Sequence, residues 1–549
     1  MYIAVLFQTS RSNNVPLSTP CLWGFRSYLF LVCGAVCGKL MSSRISLKRK
    51  LFEKISTKQI TEFMFRNNAV NKMATCLGSS GLPSKEALDE LLLKCKDFAF
   101  YCGLTKRPAD APDSENTVEF VPFTLFPSVV PRAAFVKARD SMTDFNRLMH
   151  KVAHDHGFLE QSLKNVIQVD EFTKRLWNIY ITVRQEGIAQ PVSLGLFRND
   201  FMLDKQDDGS QQPKQIEFNA IASSFMGSAT GVVHLHRFSL HQRGCSFQPS
   251  QILDNEPALH MAEGLVKAWH IYDNPRSVVL FLISDVETNI IDQRWVEFKT
   301  CSIEPRIRVI RKKFSDVHTH GRLQEDKRLV IDGDEVAVVY FRDGYSPSSF
   351  RSETDWEARL MLERSRAIKS PSIQYHLSGT KKIQQELARA GILEQFISDT
   401  ETVSRIRQMF AGQYTLDLGE EGDRAIKLAF SSPHKFVLKP QREGGGNNLY
   451  GDDITTFLRK HENSKERNAY ILMERVFPVP QKNYLVKAGI PFVLSDTVCE
   501  LGIYGVYIGT ADKEIMNTEC GHMLRTKDSS TDEGGICAGF ACIDSPFLV

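Results

Sequence analysis

A chain of 549 residues is longer than one hydrophobic core needs, which predicts two or more packed domains with room for a deep site. Apolar residues make up 42% and charged residues 24%, the balance of a globular protein, and a formal net charge of +3 leaves no basic footprint for nucleic acid. The 12 cysteines include no C-x-x-C pair of the zinc or redox kind, and a reducing, cytoplasmic setting follows.

Residues 1–55 form a basic leader. Arg11, Arg26, Lys39, Arg44, Lys48, Arg49, Lys50 and Lys54 stand there against one acid, Glu53. Its apolar run "SYLFLVCGAVC", residues 27–37, is too short to span a bilayer, so no stable membrane anchor is expected. Met41 offers an alternative start, leaving the leader as either a dispensable extension or a targeting segment.

The stretch "KEALDELLLKCKDFAFYCGL" from Lys85 has helical spacing, and helical patterns continue over residues 133–186. From Pro191 the pattern turns to strands: "VSLGLFRND" and "KQIEFNAIASSF", joined by "DKQDDGSQQP", read as an antiparallel pair whose polar strand ends are site candidates. Near Pro275 a strand–helix alternation begins, with "SVVLFLISD", "NIIDQRWVEFKTC", "RIRVIRKKF" and "EVAVVYFRDGY", which predicts a parallel sheet. Such sheets bind ligands beyond their carboxyl ends, where Arg342, Asp343, Gly344 and Tyr345 fall. Helices "DWEARLMLERSRAI" and "GTKKIQQELARAG" follow, then strands "KFVLKP", "AYILMERV" and "VCELGIYGVYI". The expected boundaries are 1–55 leader, 56–274 helical and strand part of the body, 275–378 the parallel-sheet unit and 379–549 the rest of the body.

The segment "FVLKPQREGGGNNLYG" carries the chemistry. Lys439 ends a strand, and Gly444, Gly445 and Gly446 can turn successive unobstructed amides toward an anion. This is neither a Walker loop nor G-x-G-x-x-G, and three glycines alone also suit a plain hairpin turn. Glu443, Asn447 and Asn448 add oxygens suited to hard cations, and Glu217 with Asn219 adds two more at alternate strand positions, hence on one face. Together they point to a metal–nucleotide site under a glycine-rich lid.

The blocks "QIEFNAIASSF", "FRDGY", "SGTKKIQQEL", "KPQREGGGNNLYG", "LMER", "CELGIYGVY" and "GHMLRTK" closely resemble the eukaryotic glutathione synthetases, ATP-grasp ligases, from about Val118 to the chain end. The resemblance implies an α/β ATP-grasp fold with an inserted parallel-sheet domain and ATP-driven joining of γ-glutamylcysteine to glycine through an acyl phosphate. It also implies a homodimer and magnesium, two ions per site, with 275–378 a substrate-binding domain and 379–549 an ATP-binding body. By the same resemblance Glu217, Asn219 and Glu443 are metal ligands, and Lys381, Lys439 and Lys527 meet the phosphates. Gly444 to Asn448, Tyr450, Met473, Glu474, Arg475, Val476, Glu500 and Glu533 belong to the nucleotide site. Arg198 and Arg525 bind substrate carboxylates and, with Lys381 and Lys439, form the catalytic set. Ile221, Ala222, Ser223, Ser224, Glu287, Thr288, Asn289, Gln293, Arg342, Asp343, Gly344, Tyr345, Ile536 and Cys537 complete the substrate pocket.

Three departures stand out. Ala222-Ser223-Ser224 replaces the common Ser-Ala-Ser, Glu533 replaces Asp, and Cys537 replaces an alanine of the small-residue loop "GGICAGFAC". None removes a metal ligand or a phosphate lysine, so activity is expected. The alternatives are a homoglutathione-type ligase using another acceptor such as β-alanine, and a catalytically silent nucleotide-binding protein.

Overall fold

The computed structural model describes residues 84–549; the leader, its apolar run and Met41 lie outside the described residues. The first described helix, Lys85–Tyr101, starts where the Ser84 hydroxyl accepts the Ala87 amide. Asp155 and Asp170 cap the helices His156–Leu163 and Glu171–Glu186 in the same way. No helix among the described residues is long and apolar enough to cross a membrane.

Three sheets carry the architecture. A seven-stranded sheet runs in the order Gln481–Val486, Phe123–Thr124, Ala541–Asp544, Lys513–Asp528, Leu494–Thr510, Ser193–Lys205, Gln211–Asn219. Sequence-adjacent hairpins in this sheet thus alternate with pairings between distant parts of the sequence, such as Ser193–Lys205 with Leu494–Thr510 and Phe123–Thr124 with Ala541–Asp544. "VSLGLFRND" continues well past its polar residues to Lys205, because "FMLDK" keeps pairing with "QQPKQ" across a loop of residues 206–210. Arg198 thus lies within a strand and not at its end.

The strand–helix unit forms its own sheet. Val278–Leu282 lies between Arg308–Lys312 and Asp334–Phe341, all parallel, with Ile368–Ser370 parallel on the far side of Asp334–Phe341. Helix Ile290–Ile303 crosses between its first two strands. The third sheet has four strands, Gln413–Thr415, Tyr470–Glu474, Phe436–Pro440 and Leu449–Tyr450. Its last two strands are a hairpin, and the glycine-rich segment is the loop that joins them.

The two large cores are filled by Phe, Leu, Ile and Val from these sheets and from the flanking helices. Phe145, Phe197 and Phe218 belong to one, and Phe123, Tyr504 and Val506 to the other.

Candidate active site

Four adjoining strands of the seven-stranded sheet make the floor of the site. Their register sets Asn219 opposite Arg198, Glu217 opposite Asp200, Arg198 opposite Tyr504, Asp200 opposite Gly502, and Glu500 opposite Arg525. Alternation then places Glu217, Asn219, Arg198, Asp200, Glu500, Gly502, Arg525 and Lys527 on one face.

Arg198 donates from Nε and Nη2 to the two Asp200 oxygens at 2.6 and 2.8 Å. Asp200, with 0% exposure, also accepts from Arg525 Nη2 at 3.0 Å and Asn219 Nδ2 at 2.9 Å. Burial pulls the Arg198 pKa down, but the adjacent Asp200 charge outweighs it and the guanidinium is held above its ordinary value. Space for this flat pair comes from Gly502, whose Cβ would stand 2.8 Å from Asp200 Oδ1 and 2.9 Å from Arg198 Cδ. Arg525 also pairs with Glu500.

At the end of this floor Lys381 Nζ donates to Glu217 Oε1 at 2.6 Å and to Glu443 Oε1 at 2.8 Å, with the lysine side chain only 5% exposed. Burial would raise both acids. Lys381 and Lys439 overcome it at Glu217, which is held below the usual carboxylate range. Glu443 has burial and the neighbouring Glu217 charge against it, and its pKa is raised despite Lys381. The Asn219 amide spends its nitrogen on Asp200 and the Arg198 carbonyl, which leaves its oxygen as an acceptor. Two carboxylates and an amide oxygen are donors of the kind magnesium takes. Among the described residues no group of three His, Cys, Asp or Glu side chains could hold a metal, and this mixed set is the candidate.

Lys439 donates to the Ile216 carbonyl at 2.7 Å, and burial lowers its pKa to about 8. Lys527 is likewise lowered to about 8 by burial and donates to the Asp532 carbonyl. The glycine-rich loop spans these lysines and the small-residue loop: the Gly446 amide donates to Glu533 Oε2 at 2.8 Å. Gly444 and Gly446 have φ of +86° and +91°, open to glycine and costly to other residues. Arg442 pins the loop's entry to Asp170, the cap of helix Glu171–Glu186, at 2.6 Å.

Beside the loop, Ala411, Val437 and Met473 form a small apolar cluster with Ile216, Tyr450 and Val476 packed against it, a wall suited to a flat aromatic base. Arg475 lies over the Tyr450 ring at 5.3 Å and pairs with Asp532, and Asn448 Nδ2 donates to the Tyr450 hydroxyl. The Asn447 side chain donates to the Gly444 carbonyl. Glu474 is exposed, its carboxylate accepting from the Tyr414 hydroxyl at 2.6 Å.

The parallel sheet presents Arg342, Asp343, Gly344 and Tyr345 directly after the strand Asp334–Phe341. Arg342 reaches back to the first sheet, donating from Nη1 to the Ser223 carbonyl at 2.6 Å and from Nη2 to the Ser224 hydroxyl at 2.5 Å. Residues 221–225 therefore bridge the two sheets, with Ala222 and Phe225 at φ of +52° and +70°. Tyr504 donates to the Ser224 carbonyl at 2.6 Å, and the Asp292 carboxylate accepts the amides of Phe225, Gly227 and Ser228. Ile221 and Ile536 are buried. Across the pocket mouth Glu287 accepts from the Asn289 amide at 3.0 Å and from Gln293 Nε2. The Thr288 carbonyl accepts from Arg107, and Asp343 accepts from the Ser349 hydroxyl. Cys537 is exposed with a free thiol. Three buried donors around this pocket have no protein partner: Asn289 Nδ2, Arg342 Nε and Arg525 Nε. Such donors suit the carboxylates of a peptide-like substrate.

Asp200, Asp292 and Tyr504 hold this arrangement together but stand outside the motif roles. Asp200 carries a readable signal, two residues after Arg198 and so on the same strand face. Asp292 and Tyr504 act through backbone atoms of residues 224–228, and nothing local in the sequence announces that.

This sheet arrangement, with its glycine-rich hairpin, is that of an ATP-grasp ligase. The family model described as "Eukaryotic glutathione synthase, ATP binding domain" matches residues 85–548, and the chain belongs to that family. It is 46% identical to the glutathione synthetase of Xenopus laevis over 84% of this chain and 97% of the relative, and 46% identical to that of Homo sapiens over 87% and 100%. A chloroplastic glutathione synthetase of Arabidopsis thaliana is 41% identical over 78% of each. A solved glutathione synthetase-like effector from Globodera pallida, in apo form, superposes with a TM-score of 0.68 at 26% identity, covering 85% of this chain and 98% of that one.

Proposed function

We propose that the chain is a glutathione-forming ligase that joins γ-glutamylcysteine to glycine with cleavage of ATP to ADP and phosphate. The observation that carries this reading is the Lys381 ammonium held between Glu217 and Glu443, beside the buried Arg198–Asp200–Arg525 group. Phosphate chemistry and carboxylate recognition thus meet on one sheet face. Near-full-length similarity to glutathione synthetases supports the same substrates.

In this reading the cysteinyl carboxylate of the dipeptide attacks the γ-phosphorus of ATP and ADP departs. The glycine amine then attacks the acyl carbon, phosphate leaves with the former carboxylate oxygen, and the amine nitrogen gives up a proton to leave the amide. Lys381, Lys439 and Lys527 bring positive charge to the phosphates, and Arg525 and Arg198 hold the reacting end of the dipeptide. The glycine-rich hairpin and the small-residue loop keep water from the acyl phosphate. Magnesium, held by Glu217, Asn219 and Glu443, supplies further neutralisation of phosphate charge when bound.

Residues 275–378 act as the substrate-binding domain in this assignment. A homodimer is part of it, supported by the exposed Phe100 and Tyr101, the latter 83% exposed, with the Phe100 ring 6.3 Å from that of Phe120. Sedimentation of a Tyr101→Glu chain as a monomer, with the unsubstituted chain a dimer, tests that face. A cytoplasmic site of action rests on free thiols such as Cys95, Cys301 and Cys520.

ADP release by the purified chain with γ-glutamylcysteine and a panel of acceptors, with product mass recorded, tests the activity. Glutathione is the expected product. No ADP release with any acceptor would return the chain to the silent-binder reading.

A further inference from the structure

The mouth of the dipeptide pocket is backed by a charged residue that none of the motif blocks contains. Arg311 lies on the strand Arg308–Lys312, in register with Phe281 and beneath helix Ile290–Ile303. Its side chain is 11% exposed. Nη2 donates to Gln293 Oε1 at 2.5 Å, and Nη1 donates to Glu297 Oε2 at 3.3 Å. Gln293 and Glu297 are one helical turn apart, so a single guanidinium spans both. Arg294 holds the other Glu297 oxygen at 2.5 Å.

A guanidinium can only donate. The atom of Gln293 that faces Arg311 must therefore be the oxygen, and the amide nitrogen is turned the other way, onto Glu287 Oε2. Glu287 is held at its other oxygen by the Asn289 amide at 3.0 Å, and Ser284 Oγ adds a longer contact of 3.3 Å. Were the amide reversed, its oxygen would oppose the Glu287 carboxylate. Two acceptors cannot share that contact, and the carboxylate would have to turn away.

We propose that Arg311 is a positioning residue for substrate recognition: by fixing the Gln293 amide it keeps the Glu287 carboxylate aimed at the substrate's α-ammonium group. The inference rests on the dipeptide reading of the pocket. It assigns Arg311 no contact with substrate.

Calorimetric binding to the full-length chain tests it. Arg311→Met should weaken γ-glutamylcysteine binding about tenfold, as expected for a lost charge-assisted contact. ATP binding should stay within about twofold, and so should binding of the desamino analogue, N-glutarylcysteine. In a Gln293→Ala background the same substitution should add less than about twofold, because its effect passes through Gln293. Unchanged dipeptide affinity, equal losses for the dipeptide and the desamino analogue, or full additivity with Gln293→Ala would each overturn the proposal. If Arg311→Met does not fold, Arg311→Lys takes its place with the same expected and overturning results, since its ammonium has no fork to serve two partners. An unsubstituted chain that binds ATP but not γ-glutamylcysteine would instead overturn the reading of the pocket, and the proposal with it.

Discussion

Gly446 donates its amide to the Glu533 carboxylate at 2.8 Å, so the glycine-rich hairpin and the small-residue loop meet directly. A Cβ on Gly445 would stand 3.3 Å from the Gly535 nitrogen, which leaves little freedom between them. In the proposed reaction both loops would cover the acyl phosphate, and a gap between them would admit water. Glu533→Ala should therefore release phosphate in excess of ligated peptide, measured as the ratio of the two products. A ratio that stays at one would show that this contact does not seal the site.

Glu443 shares Lys381 with Glu217 and supplies a candidate metal oxygen. Glu443→Gln keeps the shape and removes the charge, so the rate should fall about a hundredfold or more at saturating ATP. Circular dichroism should remain that of the unsubstituted chain. Near-normal turnover at saturating magnesium would remove Glu443 from the reacting centre.

For Arg198 the partner matters as much as the substrate. Arg198→Ala should raise the KM for γ-glutamylcysteine roughly tenfold or more, with a smaller change for ATP. It also leaves Asp200 buried with Arg525 and Asn219 as remaining partners, so the melting temperature should fall, breaking of a buried pair costing about 3–5 kcal/mol. Equal KM changes for both ligands would mark the residue as purely structural.

How much of this was legible in the sequence depends on distance along the chain. The parallel sheet, its terminal "FRDGY" and the glycine-rich hairpin are local patterns, and the structure has them where the alternation and the glycines indicate. The end of the Arg198 strand was not legible, because the pairing that carries it to Lys205 is with a neighbouring strand whose first residues are polar. The Glu500–Arg525 and Arg198–Tyr504 pairings depend on strand register, the latter between residues some 300 positions apart, and no local pattern encodes register. Arg311 escaped for a related reason: it meets Gln293 across a strand–helix packing contact.

Asp544 gives a pH prediction away from the reacting centre. Its carboxylate has 1% exposure and accepts from Ser128 Oγ at 2.5 Å, Thr526 Oγ1 at 2.6 Å and the Ser545 amide at 2.6 Å, with neutral His236 3.8 Å away. Burial raises its pKa from 3.8 to about 6 against these donors. The folded state then holds this proton more tightly than the unfolded state, so stability is lost as pH rises from about 4 to 6, by roughly 3 kcal/mol at most. Asp544→Asn can keep its oxygen on the amides and donate to the two hydroxyls, and should flatten the melting temperature over that range. An unchanged slope would exclude Asp544 as its source.

Cys537 sits exposed in the small-residue loop; if, as proposed, that loop folds over the incoming amine, a thiol there narrows the space relative to alanine. Glycine should be preferred over β-alanine and serine, by about 10- to 200-fold for a difference of one methylene. Cys537→Ala should keep glycine activity and raise the relative rate with β-alanine. An unchanged acceptor ratio would relieve Cys537 of that role.

Gly502 faces the Arg198–Asp200 pair because the strand Leu494–Thr510 is paired in one register only. A slip of one residue would turn Glu500, Gly502 and Tyr504 to the opposite face and bring Cys499, Leu501 and Ile503 over the charged pair. The same slip would strand Arg198, Asp200 and Arg525 under apolar side chains. The charged floor therefore doubles as a proofreading device for folding: a misregistered copy pays for its error in desolvated charge before it can reach a competent shape, and inactive near-native forms are disfavoured by the residues that make the active form work.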